Sequence, residues 1–201
     1  MYKTIVVHLN DARRAPAMMN AAVQIASRFQ SHLVGLYVMP SLVIGVGPAA
    51  EYSGGMIEAG LETFREQAER TRAIFDAATR HQTCVPEWRF VEPHQEPFLR
   101  VVMQHVRTAD LVIASQADPD WDDTRLLDVP DSILMDSGRP TLLVPLIGAG
   151  ATLGSRITIA WNGRREATRA AFDALPLLQI AEHVNVLWVN PEDDPRGLGD
   201  L

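Results

Sequence analysis

The chain has 201 residues, enough for one full domain and part of another. Its 47% hydrophobic and 21% charged residues are ordinary for a globular protein, and a net charge of −7 argues against a general nucleic-acid or anionic-membrane binder. The single cysteine, Cys84, excludes an internal disulfide framework, fits a reducing cytoplasm and reads as a buried, inert thiol.

Residues 4–9 form a short β-branched run, a buried strand candidate. No signal-peptide pattern precedes it, and no apolar run in the chain approaches the ~18 residues a membrane helix needs. A cytoplasmic protein that touches no membrane is expected. Asn10 and Asp11 end the strand, and Asp11 is placed to cap the next helix, with Pro16 tolerated in its early turns. That helix is predicted to about residue 30, with Ala15, Met18, Met19, Ala22, Ile25, Ala26 and Phe29 on its apolar face. Residues 32–39 read as a second strand, stopped by Pro40.

Residues 41–60 hold five glycines and a proline with few charges, which predicts a long mobile loop. No Lys-Ser/Thr follows those glycines, so they do not make a phosphate loop. Residues 61–82 are strongly amphipathic, with Leu61, Phe64, Ala68, Thr71, Ile74, Phe75 and Ala78 facing inward. A third strand is predicted at 85–91, a helix at 97–108 and a fourth strand at 110–115. An acidic loop at 116–123 precedes a helix at 126–137 and a fifth strand at 141–145. His8 on the first strand and His105 on the helix read as packed residues rather than catalytic ones.

Alternating strands and helices predict a Rossmann-like open parallel sheet of five strands with helices on both faces, complete by residue 146. Ligands dock at the loops after the strands in such sheets, so the acidic loop is the place to look. Residues 147–154 form a Gly-rich linker, and from 155 the chain begins again. Ile5, Val7, Asn10, Ala15 and Ala22 recur as Ile157, Ile159, Asn162, Ala167 and Ala174, 152 residues on. The His32 strand recurs at His183, 151 residues on, which implies one deleted residue between the two strands. An offset of this size predicts a duplicated domain, present at 155–201 only as strand, helix, strand. A piece this small buries too little to stand alone, so a truncated tandem protein is expected.

These features resemble the universal stress protein family: the Asn10 turn, the Asp110-Leu-Val-Ile strand, the closing Gly138-Arg-Pro-Thr-Leu-Leu-Val-Pro145, and the Asn162-Gly163-Arg-Arg-Glu-Ala segment of a second half. The resemblance implies strand order 3-2-1-4-5, pairing through the fifth strand, and, in some members, ATP or AMP between strands one and four. Carried over, the nucleotide-pocket positions are Asn10, Asp11, Val38, Ser115, Asp118 and Asp128, with Asn162 and Gly163 as second-repeat equivalents.

The chain departs from the nucleotide-binding pattern at each point. Asn10 stands where such members carry Asp, Ser115 and Asp118 stand where they carry the two phosphate-loop glycines, and Leu127-Asp128 falls near their later Gly-Ser pair. Glycines let backbone N–H groups approach phosphate oxygens; their loss removes that cradle. The loop adds Asp118, Asp120, Asp122 and Asp123, with Arg125 read as its only nearby cation. Each carboxylate ~8 Å from a phosphate costs about 1 kcal/mol at an intermediate dielectric. The expected protein is therefore a non-catalytic regulatory or scaffold module with no cofactor and no metal site. It is expected to form a homodimer through Thr141 to Val144 and the partial second repeat. The alternative is an ATP or AMP sensor that uses Mg²⁺ at the acidic loop. A hydrolase or nucleotidyl transferase finds no supporting motif.

Overall fold

The computed structural model describes residues 1–40, 54–93, 96–120 and 129–189, without the side chains of 54–57. Two compact units divide the chain, Met1–Gly150 and Ala151–Leu201. In the first, β1 (Thr4–His8), α1 (Ala15–Phe29), β2 (His32–Val38), α2 (Gly54–Thr79), β3 (Val85–Val91), α3 (Phe98–Val106), β4 (Leu111–Ser115), α4 (Val129–Asp136) and β5 (Thr141–Val144) follow one another. All strand pairs are parallel, in the order β3-β2-β1-β4-β5. This is the open parallel five-stranded sheet expected from the alternating pattern.

Strand alternation sends Val6, Val34, Leu36, Val38, Val112 and Ala114 into one core, where α3 contributes Val101, Val102 and Val106, and α4 contributes Val129 and Ile133. The opposite face carries Tyr37 and Met39 against Ala68, Leu61 and Phe64 of α2. Helix α1 buries Ala15, Met18, Met19, Ala22, Ile25 and Ala26, the face predicted for it. Phe29 instead sits half-buried, edge-on to Tyr2 with ring centroids 5.3 Å apart. Asp110 fixes the start of β1: one carboxylate oxygen accepts from the amides of Lys3 (2.7 Å) and Thr4 (2.9 Å).

Two expectations about local structure are corrected. Residues 54–60 are helix, not loop, because α2 starts at Gly54. Each glycine costs ~1 kcal/mol against alanine in a helix, but extending a formed helix needs no new nucleus. The remainder of the expected mobile loop lies outside the described residues. Asp11 does not cap α1. Its Oδ1 accepts from Arg13 N (2.9 Å) in a side-chain turn, and the capping position is Arg14, which makes no side-chain cap. Helix α4 is described from Val129, and residues 121–128 lie outside the description.

The second unit holds β6 (Arg156–Trp161), α5 (Arg165–Asp173), α6 (Leu175–Leu178) and β7 (His183–Trp188), with β6 and β7 parallel. Arg156 faces His183, 27 residues on, whereas Thr4 faces His32, 28 residues on. The one-residue difference falls between the strands. There the helix breaks at Ala174, and Pro176 opens the next short turn. Neither α5 nor α6 has a buried residue, and Val186 of β7 is 65% exposed.

Candidate functional site

The C-terminal ends of β1 and β4 diverge at the switch point of the sheet, and a cleft opens there. Its walls are His8, Leu9, Asn10 and Asp11 after β1, Arg14 and Met18 of the α1 region, residues 115–118 after β4, and Val129 and Pro130 at the start of α4. The cavity measures about 50 Å³. Pockets for drug-sized ligands run to ~300–1,000 Å³.

Asn10 is buried and both polar atoms of its amide are engaged. Nδ2 donates to Val38 O at 2.5 Å and Oδ1 accepts from Val38 N at 3.2 Å. The side chain thereby extends the β1–β2 ladder past the last strand residue. A carboxylate could accept from Val38 N but has nothing to donate to Val38 O. Val38 itself is fully buried in the core and does not line the cleft, so of the expected pocket positions it contributes only its backbone.

Arg14 is the residue that sequence reasoning missed. Its Nε donates to Ser115 Oγ (3.1 Å), Nη1 to Leu146 O (2.5 Å) and Nη2 to Pro145 O (2.7 Å). One guanidinium thus ties the start of α1 to the ends of β4 and β5. Arg125 is therefore not the only cation near the acidic loop; Arg125 itself lies outside the described residues. A signal was present. Two arginines open α1, where the helix dipole disfavours positive charge, and such a residue needs another reason to be there.

Asp11 pairs with the neighbouring Arg13 through Oδ1 (3.1 Å) and Oδ2 (3.0 Å). The Asp11 hydrogen bond is the largest cause raising the Arg13 pKa, and Asp118 adds to it. Ser115 Oγ, besides accepting from Arg14, donates to Gln116 O at 3.0 Å. Asp118 Oδ1 accepts from Asp120 N at 3.1 Å, a turn-forming contact. Asp128 lies outside the described residues. Asn10, Asp11, Ser115 and Asp118 therefore meet at one cleft, and their polar groups are turned on the protein itself.

His8 also lines the cleft. Its Nε2 is shut off from solvent with no hydrogen-bond partner among the described residues, and the Phe98 ring of α3 lies edge-on at 6.5 Å. Burial pushes its pKa down to about 4, so the ring is neutral at pH 7. No described carboxylate orients it, and a general base of the usual kind has such a partner. Among the described residues no group of three or more His, Cys, Asp or Glu could hold a metal ion, and no helix is long and apolar enough to cross a membrane.

In the second unit Asn162 does something different from Asn10. Its Oδ1 accepts from Arg164 N at 3.0 Å, and Gly163 adopts a left-handed φ of 69° in the same turn. Trp161 Nε1 is buried there with no acceptor among the described residues.

No family model matches the chain, and neither does any curated protein. Solved structures do. UspA of Lactobacillus plantarum, a universal stress protein, superposes with a TM-score of 0.53 at 14% identity, covering 71% of this chain and 97% of that one. A universal stress protein from Archaeoglobus fulgidus gives a TM-score of 0.62 at 13% identity, covering 96% of this chain and 67% of its own. With the strand order and the switch-point cleft described above, these likenesses establish that the chain has the universal stress protein fold.

Proposed function

We propose that the protein is a non-catalytic regulatory or scaffold module of the universal stress protein type, acting in the cytoplasm, whose switch-point cleft does not hold ATP. The observation that carries this reading is the state of the cleft's polar groups. The Asn10 amide is spent on Val38, and the Arg14 guanidinium on Ser115, Pro145 and Leu146. About 50 Å³ is left between them. A mononucleotide would have to displace these bonds before making its own, and no glycine stands at positions 115 or 118 to offer it bare backbone.

One observation favours a second reading, an ATP or AMP sensor. Arg14 is a cation in a cleft at the start of α4, and anions are drawn to both. Calorimetric titration with ATP and Mg²⁺, then with AMP, separates the two. The first reading expects no saturation tighter than ~1 mM. Micromolar affinity, abolished by chelating the metal, would establish the sensor.

Self-association belongs to the same proposal. Strand β5 ends the five-stranded sheet, and β6 and β7 form a sheet of only two strands among the described residues. Open edges recruit partner strands, and a second copy of the chain carries the same edges.

A further inference from the structure

The six residues after β5 run along α1 as a strap. Arg14 holds the first two through Pro145 O and Leu146 O. At Gly148 the backbone takes a φ of +84°, and a Cβ built there would stand 3.5 Å from the Ala17 side chain. Further along the helix, Gln24 Nε2 donates to Gly150 O at 3.1 Å. Gly148 N closes a turn onto Pro145 O at 2.8 Å, and Leu146 N reaches Gln116 Oε1 at 3.2 Å. The strap ends at Gly150, the last residue of the first unit, and Ala151 begins the second.

The guanidinium that starts this strap is the one that closes the cleft against Ser115. Its donors form a rigid planar fork, so the contacts to Ser115, Pro145 and Leu146 are made or broken together rather than one at a time. The helix dipole does nothing to hold a cation at this end of α1, so those contacts alone keep it in place. We propose that Arg14 is a two-way clasp that couples the switch-point cleft to the strap leading into the second unit. Opening the cleft releases the strap, and pulling the strap loosens the cleft. This holds whether or not a nucleotide binds, because it concerns the chain's own contacts.

Hydrogen exchange on the full chain tests it. Gly148→Val strains the strap at its left-handed residue and leaves Arg14 in place. The Gln116 amide, bonded to Val144 O at 2.8 Å, reports on the cleft side, and the Gly148 position reports on the strap. Gly148→Val is expected to speed exchange at both places ~10-fold, and Arg14→Met to do the same. The double variant should exchange at Gln116 no faster than Arg14→Met alone, because the connection is already cut. Amides of Val6 and Val34 in the central strands should be unchanged, which shows that the sheet is folded. If Gly148→Val frees the strap while Gln116 keeps its protection, or if the two substitutions add at Gln116, the coupling is wrong. If Arg14→Met leaves both places protected, the clasp is wrong. Should Arg14→Met fail to fold, Arg14→Lys, which keeps the charge but not the fork, carries the same comparison and is expected to loosen both ends.

Discussion

Asn10 holds the main chain of Val38 by both ends of its amide, donating to the carbonyl at 2.5 Å and accepting from the N–H at 3.2 Å. The two residues are 28 apart in sequence, and the contact finishes the seam between β1 and β2 above the cleft. Asn10→Asp is nearly isosteric yet removes the donor and sets a buried charge against a carbonyl oxygen. Destabilisation of ~2–4 kcal/mol is expected from urea unfolding at pH 7, more than a typical exposed substitution gives. A loss below ~0.5 kcal/mol would mean that the amide is not held this way.

The half-buried His8, whose Nε2 is shut off from solvent, gives stability a pH dependence. Its folded-state pKa is about 4, below the unfolded value near 6.5, so between those values the unfolded chain binds more protons. The contribution is intact above pH ~6.5, declines as pH falls towards 4, and levels off below that. The full drop is about 3 kcal/mol by linkage. His8→Leu should flatten this limb of the unfolding free energy. An unchanged limb in that variant would assign the acid sensitivity to other groups.

Gly35 on β2 lies under an aromatic pair. A Cβ there would come within 2.6 Å of Phe75 Cδ2 and 2.9 Å of Trp88 Cε3. The two rings, 5.6 Å apart and tilted by 49°, pack from α2 and β3 onto the bare glycine backbone. Rings move as rigid plates, so Gly35→Ala forces the pair off the sheet. Overpacking of this kind costs ~1–3 kcal/mol, seen as a lower midpoint in thermal unfolding and altered tryptophan fluorescence. Equal or higher stability would show that the pair has room to retreat.

What could be read beforehand follows from how far each partner lies along the chain. The strands announced themselves through β-branched runs, and α1 through apolar residues three and four apart, because those signals are local. The helical start of α2 was hidden because glycine propensity is also local while the helix is fixed by its later turns. The switch-point rule pointed to the ends of β1 and β4, where a cleft does open, but the state of its polar groups was not legible. Arg14 meets carbonyls 131 and 132 residues away, and backbone acceptors carry no sequence signature. Val38 was expected to line the pocket because the family resemblance implied it. It points into the core with Val34 and Leu36, leaving only its backbone to Asn10.

The four-residue strand β5 closes one edge of the sheet, with Leu143 37% exposed. Helix α4 packs beside it and leaves Leu134 47% and Met135 78% exposed. Few charges guard this edge, and natural edge strands that stay single are usually guarded. A second copy pairing at β5 would cover the apolar side chains and the open backbone groups together. Light scattering is expected to find a dimer, and Leu143→Lys should weaken it at least ~10-fold by setting two like charges across the seam. The circular dichroism of the variant should match that of the parent, since Leu143 is not a core residue. A parent protein that remains monomeric at high micromolar concentration would refute pairing at this edge. A variant that dimerises as tightly as the parent would move the contact elsewhere, with the open strands β6 and β7 next to be tested.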